Sequence, residues 1–184
     1  KYGDERRTQI LDELGEFRVE DLIADDNMVV TISNEGYIKR LPVSTYRKQR
    51  RGGRGVSGME TKEADFVKDL FIASAHQYML FFTNLGRVYW RKVHELPKAG
   101  RTARGRAIVN VLSLSSEERV TAVLPVSDLN EEEKFIFMVT RKGVIKKTAL
   151  KAYSNVRTKG IIAPDLNPGD ELMEVQITSG DDNI

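Results

Sequence analysis

Hydrophobic and polar positions change period once along this chain. Over the first 27 residues, Ile10, Leu11, Leu14 and Phe17 recur at helical spacing in an acidic surround, which predicts a short amphipathic helix or a linker leaving a preceding domain. From Met28 onward the period is that of strands, and the same unit recurs. Residues 28–40, 78–90 and 135–147 each read as an apolar strand, a tight turn around a glycine (Gly36, Gly86, Gly143) and a return strand, the pattern of a β-hairpin. A basic residue followed by glycine comes next in each unit, at Arg54-Gly55, Arg104-Gly105 and Lys159-Gly160, lying 19, 19 and 17 residues beyond the turn glycine. Each unit closes on an acid-led apolar strand, residues 65–72, 118–124 and 170–177. Strand-rich repeats of about 50 residues match propeller blades, each too small to bury its own face. The expected architecture is therefore all-β, with a linker over 1–27 and repeats over 28–75, 76–132 and 133–184, the chain stopping where a fourth hairpin would begin.

Charge sharpens this picture. The formal net charge is only +2, but residues 36–55, 84–106 and 141–160 hold seven Lys or Arg each and Glu95 as their one acid, out of 29 cations and 27 acids in all. The basic windows fall at the same place in every repeat, so stacked blades would gather them on one edge, where local sign governs the attraction of a polyanion. Window one ends in Gln49, Arg50, Arg51, Gly52, Gly53, Arg54 and Gly55, guanidinium forks on a backbone able to approach phosphate oxygens closely. The other candidate rim cations are Lys39, Arg40, Arg47, Lys48, Arg87, Arg91, Lys92, Arg101, Arg104, Arg106, Lys146, Lys147, Lys151, Arg157 and Lys159. No element looks built to read base edges, so affinity would come from phosphate contacts and the bendability of the duplex. Trp90, Tyr37 and Tyr89 are expected in packing, and His76 and His94 have no partners at metal-ligand spacing.

Other chemistries find little support. The absence of cysteine excludes disulfides, zinc-thiolate sites and cysteine nucleophiles. There is no phosphate loop and no nucleophile elbow, so no enzyme is expected in this chain alone. No apolar run is long enough to cross a bilayer and no signal-peptide pattern stands at the amino end, which reads as cytoplasmic. A propeller-type scaffold binding RNA or acidic proteins stays open as an alternative.

Residues 36–40, Tyr46, the seven-residue stretch 49–55 and residues 81–89 resemble the first two blades of the carboxy-terminal domain family of DNA gyrase A, within the bacterial type IIA topoisomerases; Lys1 to Arg7 resembles the exit from its preceding coiled coil. The resemblance implies a β-pinwheel of four-stranded blades with hairpins exchanged between neighbours, about three of them here, and a basic perimeter that wraps double-stranded DNA. On this resemblance 49–55 is the family's gyrase box, the partners are duplex DNA, the rest of gyrase A, and gyrase B in an A2B2 heterotetramer, and no membrane or small-molecule substrate is involved. ATP and Mg would be used elsewhere in the holoenzyme, with no cofactor or catalytic residue in this chain. The related domain of topoisomerase IV is a second possibility, against which the complete box argues.

Overall fold

The computed structural model describes residues 19–46, 59, 65–155 and 157–182; the helix expected near Ile10, the stretch 49–55, and Arg47 and Lys48 lie outside them. Three hairpins appear where the sequence places them. Strands β1 (Asn27–Ser33) and β2 (Tyr37–Pro42) pair antiparallel, and β3 (Val67–Ser74) lies on the other side of β1. The second hairpin is β4 (Tyr78–Thr83) with β5 (Arg87–Lys92). The two-residue strand β6 (Arg106–Ala107) and a short helix α1 (Ile108–Leu112) come between that hairpin and its closing strand β7 (Val120–Val126). The third hairpin is β8 (Phe135–Thr140) with β9 (Ile145–Ala149), followed by the two-residue β10 (Ile161–Ile162) and by β11 (Leu172–Thr178), which pairs with β8.

The short strands stitch the repeats together. β6 leaves its own hairpin and joins the first sheet beside β2, giving the order β3-β1-β2-β6; β10 likewise joins the second, giving β10-β5-β4-β7. The two junctions match atom for atom: Ile108 N–H donates to Gly36 O at 2.8 Å, and Ala163 N–H donates to Gly86 O at 2.8 Å. The third sheet, β11-β8-β9, has three strands among the described residues.

Neither core belongs to one repeat. Met28, Val30, Ile32 and Ile38 pack against Met79, Phe81 and Tyr89 between the first two sheets, whereas Leu80, Phe82, Val88 and Trp90 pack against Ile136, Met138, Leu172 and Val175 between the second and third. The middle sheet is covered on both faces, which is why 79–82 is apolar without alternation. Phe81 and Phe82 point into different cores, each ring adding roughly 1.5–3 kcal/mol by burial.

The acids that lead the closing strands fasten the hairpin turns. Asp170 accepts the Thr140 hydroxyl at 2.7 Å and the backbone N–H of Lys142 and Glu171 at 3.0 and 2.8 Å. Asp65 accepts the N–H of Glu35 and Phe66, both at 2.9 Å, and Glu118 accepts the hydroxyls of Thr83 at 2.8 Å and Tyr89 at 3.0 Å. Burial alone would raise the Asp170 carboxyl, but these donors and nearby Lys142 hold it below the usual aspartate value.

Candidate nucleic-acid interface

The basic loops 98–106 and 157–160 each lie beside the return strand of the preceding hairpin, because the strand that follows each is the one that crosses over. Gly105 and Gly160 stand at this contact. Both have positive φ, and an added Cβ would sit 2.4 Å from Ile38 O and 2.7 Å from Val88 O. In these two loops the glycine therefore serves the neighbouring backbone.

The cations divide by what their head groups meet. Lys39 differs from the rim expectation: it is 1% exposed, and its ammonium donates to the carbonyls of Gly100, Arg101 and Ala103 at 2.9, 2.6 and 2.8 Å. It sits on β2 facing a loop whose carbonyls have no strand partner, so it is an internal tie. Arg40 is half-buried and donates to Leu96 O at 2.8 Å and His94 O at 2.7 Å, which turns it inward as well. Arg87 repeats the tie one sheet on, donating to Lys159 O at 2.6 Å, and Arg91 donates to Val111 O at 3.0 Å. Lys146 and Lys147 are exposed, with ammonium groups on Ala163 O at 2.8 Å and Gly180 O at 3.3 Å. Lys92 is paired with Glu20 at 3.1 Å and Lys151 with Glu132 at 3.0 Å.

With the loop carbonyls drawn inward, the loop side chains turn outward. Arg101, Arg106, Arg157 and Lys159 are exposed, with no side-chain hydrogen bond or ion pair among the described residues. Arg104 lies with its guanidinium 5.2 Å from the Tyr37 ring centroid, within cation–π range, at the same edge. Loop 98–106 thus clusters with the first hairpin, and loop 157–160 with the second.

Topology also separates the signs. In the first sheet β3, led by Asp65, is one edge and β6, which ends the basic loop 98–106, the other; in the second, β7, led by Glu118, and β10, which follows the basic loop 157–160, take those places. The basic loops 98–106 and 157–160 and the strands led by Asp65 and Glu118 thus meet opposite edges of the same sheets. Sequence reasoning identifies the basic loops and the leading acids, but it has no signal for the ties made by Lys39 and Arg87, nor for Glu20.

Trp90 and Tyr89 are buried at 2% and 4%, as packing residues. His76 and His94 meet edge to face at 6.1 Å, and among the described residues no three His, Cys, Asp or Glu are grouped to hold a metal.

Comparison with known proteins agrees with this architecture. The model of the family described as DNA gyrase C-terminal domain, beta-propeller matches residues 27–74, 77–127 and 134–179. DNA gyrase A of Clostridium acetobutylicum is 49% identical over 184 residues, covering 100% of this chain and 22% of that protein. That of Escherichia coli is 47% identical, with 100% and 21% covered, so the chain spans about a fifth of these relatives. Among solved structures, the C-terminal domain of DNA topoisomerase IV superposes with a TM-score of 0.74 at 28% identity, covering 86% of this chain and 47% of that one. A DNA gyrase A C-terminal domain superposes with a TM-score of 0.62 at 22% identity, covering 83% and 48%, a likeness of fold. The matched segments take in all three hairpins and their closing strands, and on that ground the chain belongs to the family of DNA gyrase C-terminal domains.

Proposed function

We propose that this chain is a DNA-wrapping module: duplex DNA lies along the sheet edges that carry the basic loops, and its bend supplies the geometry from which a gyrase introduces negative supercoils. One observation carries the reading. A basic loop held by a cation of the preceding hairpin, Lys39 in one case and Arg87 in the other, is built twice at the exchanged-strand edges, with the strands led by Asp65 and Glu118 at the opposite edges. Contacts of this kind are to phosphate and carry no base specificity. Bending 20–30 base pairs by 40–90° costs about 1–6 kcal/mol, which several cations on rigid sheet edges can offset in a fixed direction.

In this reading the chain binds and bends, and strand passage, ATP and Mg belong to the rest of gyrase A and to gyrase B, in a bacterial cytoplasm. Residues 49–55 anchor the start of the wrap, with Arg101, Arg104, Arg106, Arg157 and Lys159 extending it. Replacing Arg50, Arg51 and Arg54 together with alanine in full-length gyrase A, assembled with gyrase B, is expected to abolish negative supercoiling of relaxed circles while leaving salt-sensitive binding. An unchanged linking number would remove the role given to that stretch.

A further inference from the structure

The cation at the end of β5 already holds a carboxylate. Glu20, in the 3-10 turn Val19–Leu22 ahead of the first strand, places its Oε1 and Oε2 each 3.1 Å from Lys92 Nζ. Lys92 lies 4.5 Å from the Tyr78 ring centroid with a side chain 16% exposed, against 35% for Glu20, so the lysine end of the pair is the shielded one. The pair closes a cleft of about 260 Å³ that is also lined by Tyr78, Trp90, Arg91, Glu95 and Thr158, with Glu95 already accepting the Lys92 backbone N–H at 3.0 Å. Thr158 stands between Arg157 and Lys159, so the cleft is the seam between the second and third basic windows. A second observation is independent of the ion pair. The Trp90 indole N–H, on a ring 2% exposed, has no hydrogen-bond partner among the described residues, and a buried donor left unpaired costs about 1–3 kcal/mol.

A shielded ammonium at a cleft is what a phosphate oxygen requires, and a carboxylate is the nearest side-chain stand-in for one. We propose that the seam is a phosphate site with Glu20 as its built-in competitor: the acidic lead-in occupies Lys92 until a backbone phosphate displaces it. This rests on the wrapping reading above and adds regulation to it, since the strap before the first strand then sets how readily DNA crosses from the second basic window to the third. The hydrogen bond from Lys92, against the opposing effect of burial, holds that carboxyl below its ordinary value and favours its ionised form. Asp25 hydrogen-bonds the Ser74 hydroxyl and Ala75 N–H donates to Asp26 O at 2.9 Å, so the strap is anchored behind the latch.

The test uses the 184-residue chain, a duplex of about 30 base pairs, and the emission of Trp90, the one tryptophan in the sequence. Glu20→Gln keeps the size of the side chain and removes its charge. It is expected to bind the duplex about three- to tenfold tighter and to steepen the slope of log K against log salt by about 0.9, the signature of one added phosphate contact. Adding Lys92→Gln to that variant should return both to wild-type values. Asp26→Asn removes the same charge from the strap away from the seam, and an equal gain there would overturn the latch in favour of net charge. In Glu20→Gln, Trp90 emission should change with duplex or inorganic phosphate; a change with phosphate alone assigns the site to the free anion, and none with either overturns it. Wild-type protein without salt-sensitive duplex binding would defeat the wrapping reading itself; wild-type binding unaffected by Glu20→Gln defeats only the latch.

Discussion

Gly105→Ala isolates the contact on which the exchange depends. The new methyl would lie 2.4 Å from Ile38 O and 2.9 Å from both Ile38 C and Lys39 Cβ, against backbone of a strand buried in the first core. None of these is the far end of a flexible side chain, so relief requires β6 to move away from β2. Two costs follow. A Cβ at the left-handed φ of +90° costs about 1–2 kcal/mol by itself. Overpacking against immovable neighbours adds about 1–3 kcal/mol. Gly143→Ala supplies the control, since Gly143 has φ +80° and nothing within 4 Å of the new methyl, so it carries the first cost alone. Urea unfolding of both variants should give a loss of about 2–5 kcal/mol for Gly105→Ala and about 1–2 kcal/mol for Gly143→Ala, from summing those terms. Gly160→Ala, at 2.7 Å from Val88 O, should fall with Gly105→Ala. Equal losses at Gly105 and Gly143 would refute the reasoning, because the close approach of the exchanged strand would then contribute nothing.

Other outcomes follow from the same geometry. Lys39→Met removes the one ammonium shared by three loop carbonyls and should cost about 3 kcal/mol or more in urea unfolding. Its salt slope for DNA should stay unchanged, whereas a rim cation would change the slope and spare stability. Replacing Arg101, Arg106, Arg157 and Lys159 one at a time by glutamine should lower the salt slope by about 0.9 for each true phosphate contact, with stability within about 0.5 kcal/mol of the parent. The Asp170 carboxyl is held below 3.8, so its contribution is present above that value and is lost as pH falls through the folded-state value. Asp170→Asn should therefore be less stable near neutrality and show a flatter acid limb than wild type below pH 3.8, measured by urea midpoints across pH.

The hairpins are legible in the sequence because their evidence is local. A run such as 78–83, a turn glycine and a return strand lie within a dozen residues, and the leading acids recur in phase with them. The exchange leaves less trace. β6 and β10 are two residues long, too short for any period to register, and the helix Ile108–Leu112, ending on Ser113 at φ 56°, is little more than one turn. Cations are harder still. Lys39 and Arg101 look alike in a basic window, yet one is enclosed by three carbonyls and the other is exposed. What separates them is that a strand residue of one repeat faces a loop of the next, a relation between positions about 60 apart that composition and spacing do not encode. Glu20 is the same kind of case, since it meets Lys92 from 72 residues away.

The topology also explains how a chain with a net charge of +2 can present a strong positive field. In a four-stranded sheet the outer strands are three interstrand spacings apart, about 14 Å at about 4.8 Å each. The Debye length at physiological ionic strength is about 8 Å, so charges on the acid-led edge are largely screened from a phosphate at the basic edge, while the cations of one loop act together on it. Near 0.01 M salt the Debye length grows to about 30 Å, beyond the width of the sheet, and the acids then subtract from the attraction. Low salt should consequently strengthen binding less than the count of phosphate contacts alone predicts, bending the plot of log K against log salt downward at its dilute end. A plot straight down to 0.01 M would mean that the two edges do not share a field, and the separation of charge by strand order would lose its electrostatic meaning.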